Sequence, residues 1–173
     1  MEQKKPISHI VAGLIIAGFV IALQLIMTIT MGDTNQTSSG WIQYLIIIIG
    51  LAIFIYMFGK SRDNYVTFGE LFSYGFKATM MVTLVFVLYL FILSLAMPEM
   101  KDKALEATRV EMEKQNMKDS DIDTSMGFME KYFWLVAIAG SILGFIVVGA
   151  IGSLIGAALT PKRPKNPFDQ ASF

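Results

Sequence analysis

Apolar positions along this chain are not spread evenly but gathered into four long runs, with polar residues collected in the gaps. The first run, Ile10 to Met31, holds 22 residues without a charge. At a rise of 1.5 Å per residue it is about 33 Å long, enough to cross a hydrocarbon core of ~30 Å. Trp41 to Phe58 is the second, with Trp41 and Tyr44 placed as interfacial anchors at one end. The third ends at Met97, before Pro98, and the fourth runs from Tyr132 to Leu159. The fourth is about 42 Å long and is therefore tilted, kinked or protruding. Four such runs in one small chain argue against the alternative, a buried hairpin of a soluble helical protein. The pattern predicts an all-α, polytopic membrane protein: one domain, with transmembrane helices over about residues 10–31, 41–58, 76–97 and 132–159.

The connections add detail. A short basic start with Lys4 and Lys5 precedes the first run, which is too long for a signal-peptide core and is followed by no small-residue cleavage site. It reads as an uncleaved anchor. Gly32 to Gly40 is a polar turn without Lys or Arg, carrying a sequon at Asn35. After the loop Gly59–Asn64 comes Thr67-Phe68-Gly69-Glu70, a capping box in which Thr67 accepts from the Glu70 N–H and Glu70 reaches back to the Thr67 N–H. A helix then starts at Phe68 and meets no stop before Pro98. Its 30 residues exceed the core thickness by about 15 Å. The excess lies on the cytoplasmic side, with Lys77 snorkelling toward the headgroups. Residues 98–131 predict an extracytoplasmic helical hairpin with charge pairs Glu99–Lys103, Glu106–Arg109 and Glu111–Lys114, and with Asp119 or Ser120 capping its second helix. Residues 160–173, with three Pro, read as a disordered cytoplasmic tail.

Net charge is zero, but the charge is segregated. With the N-terminus inside, the inner segments carry eight Lys/Arg and four Asp/Glu, and the outer segments six and ten. The Lys/Arg excess favours both termini in the cytoplasm. No bulk charge points to nucleic acid.

Composition narrows the chemistry. Charged residues are 16% of the chain, against about 25% in soluble domains. The absence of Cys excludes disulfides and thiolate chemistry, and the single His, His9, excludes an all-His metal site within one chain. The cores of the four spans hold no Asp, Glu, Lys or Arg, which argues against ion-coupled transport and a proton path. No catalytic, cofactor-binding or metal-binding set can be assembled.

Small and polar residues fall on helical faces: Gly13, Ala17, Gln24 and Thr28 in the first span, and Gly75, Thr79, Thr83 and Ser94 in the third. These faces serve either helix packing, with Gln24 hydrogen-bonding a neighbour, or a polar path. The fourth span carries Gly140-x-x-x-Gly144 and Gly152-x-x-x-Gly156, helix-contact motifs for packing within the chain or for self-association. Phe68, Phe72 and Phe76 share one face of the third helix. They are expected to dock on the Gly/Ala-rich half of the fourth span, around Gly152 and Gly156.

Lys5-Pro-Ile-Ser-His9, Val66-Thr-Phe-Gly69 followed by Phe72 and Gly75-Phe76, Pro98-Glu-Met-Lys101, and Ile155-Gly-Ala-Ala158 stand in this order along nearly the whole chain. Together they resemble the domain-of-unknown-function 4199 family, small four-span membrane proteins of Bacteroidota. The resemblance implies a bacterial inner-membrane protein and brings no activity or catalytic residues. The sequence therefore points to a non-enzymatic accessory or scaffold subunit of a membrane assembly, without cofactor. Its surroundings would be the lipid bilayer, and its contacts a membrane protein partner or a second copy. The alternative is a small transporter, channel or handler of lipid or lipid-linked sugar.

Overall fold

The computed structural model describes residues 6–31 and 36–163, which form helices joined by turns and short irregular segments, with no strand among them. The helices are α1 (His9–Met31), α2 (Gln36–Ser61), α3 (Phe68–Ala96), α4 (Glu99–Lys114) and α5 (Asp119–Leu159). Of these, α1, α2, α3 and α5 are long and apolar enough to cross a membrane. The basic start at Lys4 and Lys5, the sequon at Asn35 and the tail from Pro164 lie outside the described residues.

Helix ends follow local chemistry. Two turns close with left-handed residues of the types that tolerate positive φ. Asp63 (φ 52°) and Asn64 (φ 63°) follow α2, and Asn116 (φ 55°) follows α4. In both, paired N–H groups return to the last helical turn. Asp63 N–H donates to Lys60 O and Asn64 N–H to Gly59 O; Asn116 N–H donates to Glu113 O and Met117 N–H to Met112 O. That pairing satisfies carbonyls which a helix end leaves open. Pro98, with φ −59° and ψ −28°, stands immediately before α4, where a missing N–H costs nothing. α5 holds the expected short helix running into the last span: its 41 residues are two helical stretches joined at a kink at Tyr132 (φ −117°, ψ 19°), and its N-cap is Lys118 with no side-chain bond. Asp119 and Ser120 are thus inside the helix rather than capping it.

Neighbouring side chains give the directions. Gly13 of α1 meets Ala78 and Met81 of α3, and His9 meets Tyr74, so these helices run parallel. Gly50 of α2 meets Ile16 of α1, antiparallel to it. Gly152 and Gly156 of α5 meet Ile48 and Ala52 of α2, parallel. Gly149 meets Thr79 and Ser153 meets Gly75, so α3 and α5 are antiparallel. The result is an up-down-up-down bundle. α1 and α5 each pack on both α2 and α3, and α2 and α3 touch across the centre. The core is built from Ile16, Val20, Ile47, Leu51, Ile55, Leu71, Val82 and Phe145, all buried. The opposite surfaces expose Leu, Ile and Phe along most of the helix length, as suits a lipid environment.

The first and last described residues lie at the same end. Tyr74 Oη donates to Ile7 O at 2.9 Å, and Arg163 N–H donates to Asn64 O at 2.7 Å. At the other end α4 folds back along the start of α5. Arg109 bridges to Asp123 at 3.3 Å, and Leu105 and Ile122 are buried. Arg109 also pairs with Glu113 rather than the expected Glu106, and Glu111 with Lys114 at 4.0 Å.

Candidate functional site

The segment that joins α2 to α3 and opens α3 collects most of the specific chemistry of the bundle. Thr67 sits in extended backbone (φ −90°, ψ 161°) and its Oγ1 accepts from the Glu70 N–H at 3.2 Å. The Thr67 N–H donates to Glu70 Oε2 at 2.7 Å, and the Thr67 hydroxyl donates to the same oxygen at 3.1 Å. The reciprocal cap starts α3 at Phe68 and places a carboxylate on the positive end of the helix.

One turn further, Tyr74 ties three elements together. Its ring stacks on Phe58 of α2 at 4.3 Å and 15°, meets His9 of α1 edge-on at 6.4 Å, and its hydroxyl bonds Ile7 O. Gly75 follows. A Cβ there would lie 2.5 Å from Ile55 Cδ1 and 2.7 Å from Ser153 Oγ, so α2 and α5 both close on this point. Gly149 is tighter still, with Thr79 Cβ 2.7 Å from where its side chain would be. Thr79 and Thr83 are buried, and their hydroxyls donate back to Gly75 O and Thr79 O within α3. Gln43 Nε2 donates to Gln24 Oε1, linking α2 to α1. These interior polar side chains bond to backbone or to each other, the arrangement expected of packing faces in lipid. Ser94, expected on the same α3 face, is off the seam and bonds Phe91 O. The Thr28 side chain is outside the described residues.

The end of α5 docks against the same segment. Thr160 is buried, donates to Gly156 O at 2.7 Å, and puts its Cγ2 2.5 Å from the position a Cβ would take on Gly59. Lys162 Nζ donates to Ala157 O at 2.7 Å and Thr160 O at 3.1 Å, capping α5. The same ammonium lies 5.7 Å from the Phe68 ring centroid, and Arg62 lies 4.7 Å from that of Phe58. Residues 160–163 are thus docked, where a free tail was expected.

The aromatic face of α3 does not meet the glycines of α5 as expected. A Cβ on Gly152 would lie 3.2 Å from Ile48 Cα, and one on Gly156 3.1 Å from Ala52 Cα, so both receive α2. Phe72 and Phe76 are half-buried and stack on each other at 5.8 Å. Phe68 is 43% exposed and lies beneath Lys162. The reason is steric order: α5 meets α3 through Gly149 and Ser153, one step round the helix from Gly152 and Gly156. A Cβ on Gly144 would lie 3.2 Å from the Tyr44 hydroxyl, whereas Gly140 has open space and is exposed. Lys77 is exposed on α3.

Tyr74, Gly59, Thr160 and Lys162 were not singled out by the sequence. Gly149 and Ser153 carried a signal, since they extend the small-residue stripe of Gly152 and Gly156 around the helix. Among the described residues no group of three His, Asp or Glu is placed to hold a metal. A groove of about 420 Å³ between α1 and α2 is lined only by apolar side chains, among them Ile15, Phe19, Ile46, Ile49 and Phe54.

The family model described as Protein of unknown function (DUF4199) matches residues 12–162, from the first turn of α1 to the docked end of α5. The chain belongs to that family. No curated protein and no solved structure matches it.

Proposed function

We propose that this DUF4199 protein is an integral membrane protein without catalytic activity, acting as an accessory or scaffold subunit of a membrane assembly. The observation that carries the reading is how the interior is filled. Glycines let backbones touch, and Gln24, Gln43, Thr79 and Thr83 are engaged with neighbouring side chains or their own helix. Such a bundle is suited to presenting surfaces, while the charged α4 and the protruding start of α5 offer a face to a partner. The Lys/Arg count favours both termini in the cytoplasm and α4 outside. That the first and last described residues share one end of the bundle supports it. The family resemblance supports a bacterial inner membrane.

The test is mild detergent extraction after crosslinking in native membranes. A stoichiometric membrane protein partner, or a second copy of the chain, is expected. Recovery of a lone monomer under every condition would contradict the reading. The groove between α1 and α2 favours one other reading, a lipid-handling protein that holds an acyl chain there. Reconstituted vesicles in which the protein accelerates movement of a labelled lipid between leaflets would establish that reading instead.

A further inference from the structure

Lys77 is the one Lys or Arg between Phe68 and Ala96, and the helix contacts place it part-way along the length of the bundle rather than at its end. It follows Gly75 by two residues, and Gly75 lies level with Ile55 of α2 and Ser153 of α5. Ile55 is six residues short of Ser61, where α2 ends, and Lys77 is nine residues into α3. At 1.5 Å per residue its Cα is roughly 12 Å inside that end. Its neighbours along α3 toward the far end are apolar, beginning with Met80 and Leu84, both exposed.

The side chain is exposed, and among the described residues it makes no hydrogen bond, ion pair or ring contact. The Glu70 carboxylate, two turns nearer the end, is held on the Thr67 N–H and hydroxyl. A side chain on a helix leans toward the N-terminus, which for α3 is the end that carries Lys60, Arg62 and Arg163. An ammonium at this depth, facing lipid with no acid paired to it among the described residues, calls for a counter-anion delivered from the leaflet.

We propose that Lys77 is the centre of a binding site for the phosphate of an anionic phospholipid, drawn down against α3 from the leaflet at the basic end. The proposal rests on the membrane reading above. Lys60 and Arg163 raise the local concentration of anionic headgroups, while Lys162 and Arg62 are already engaged with helix carbonyls or rings. Lys77 supplies the one directed contact, and the exposed apolar stripe of Met80, Leu84 and Leu88 below it receives the chain of the same lipid.

The test compares retention of phosphatidylglycerol and phosphatidylcholine by the full-length protein, measured by native mass spectrometry from mixed micelles. The wild type is expected to prefer phosphatidylglycerol. Lys77→Gln should lose about fivefold of that preference, the size expected for one lysine at an anionic surface. Lys77→Arg should keep it, and Lys60→Gln should change it less than Lys77→Gln does. Inorganic phosphate at matched concentration should not displace the lipid; displacement would assign the site to free phosphate. No preference in the wild type, or equal losses in the Lys77 and Lys60 variants, would overturn the proposal. So would a carbodiimide crosslink in native membranes between Lys77 and a carboxylate of another protein. Resistance of the wild type to carbonate extraction reports separately on the membrane reading, so its failure is distinguishable from failure of the lipid site.

Discussion

Single residues in this bundle act mainly by being small or by satisfying one backbone group. Gly149 is the clearest case, because Thr79 occupies the space a side chain would need. Gly149→Val should destabilise the purified protein by about 1–3 kcal/mol, the usual cost of overpacking, seen as a lower unfolding temperature. An unchanged midpoint would mean that α3 and α5 are not in contact there. Ser153 makes the opposite prediction. It is fully buried and its Oγ has no hydrogen-bond partner among the described residues. Ser153→Ala should therefore be neutral or slightly stabilising, since it removes a hydroxyl that is desolvated without return. A loss above about 1 kcal/mol would show that the hydroxyl is in use. At the start of α3, Thr67→Ala should cost about 0.5–2 kcal/mol and Thr67→Ser should restore most of it, by the same melting assay.

At the scale of elements, the question is which helix faces which. The cap at Thr67 and Glu70 was legible because its chemistry is local: both partners lie within four residues and their types name the motif. The four long apolar helices were legible from length and composition. Their partners were not, because lipid tails are as apolar as a protein core, so no difference in polarity marks the inward side. The motif Gly152-x-x-x-Gly156 announces a close approach without saying to what, and the structure assigns it to α2. Nor was the docked end of α5 legible, since it depends on left-handed Asp63 and Asn64 presenting a carbonyl to Arg163. The absence of native Cys makes the helix order testable. Ala52→Cys paired with Gly156→Cys should form a disulfide on oxidation, and Phe76→Cys paired with Gly156→Cys should not. The reverse result would restore the aromatic face of α3 as the surface that α5 meets.

At the scale of the molecule, the antiparallel order makes one end basic and the other end the site of α4. The first and last described residues, the turn between α2 and α3, and Lys60, Arg62, Lys77, Lys162 and Arg163 belong to the first end. The turn between α4 and α5, with Gln115 and Asn116, belongs to the second. A four-span reading requires these ends to lie on opposite faces of a membrane. Single-cysteine labelling with a membrane-impermeant maleimide, in intact cells whose outer barrier has been made permeable, tests this most directly. Gln115→Cys should label at once, whereas Lys60→Cys and Arg163→Cys should label only after the membrane that holds the protein is opened. Equal labelling of all three in intact cells, or labelling of Lys60→Cys and Gln115→Cys from the same side, would contradict the account.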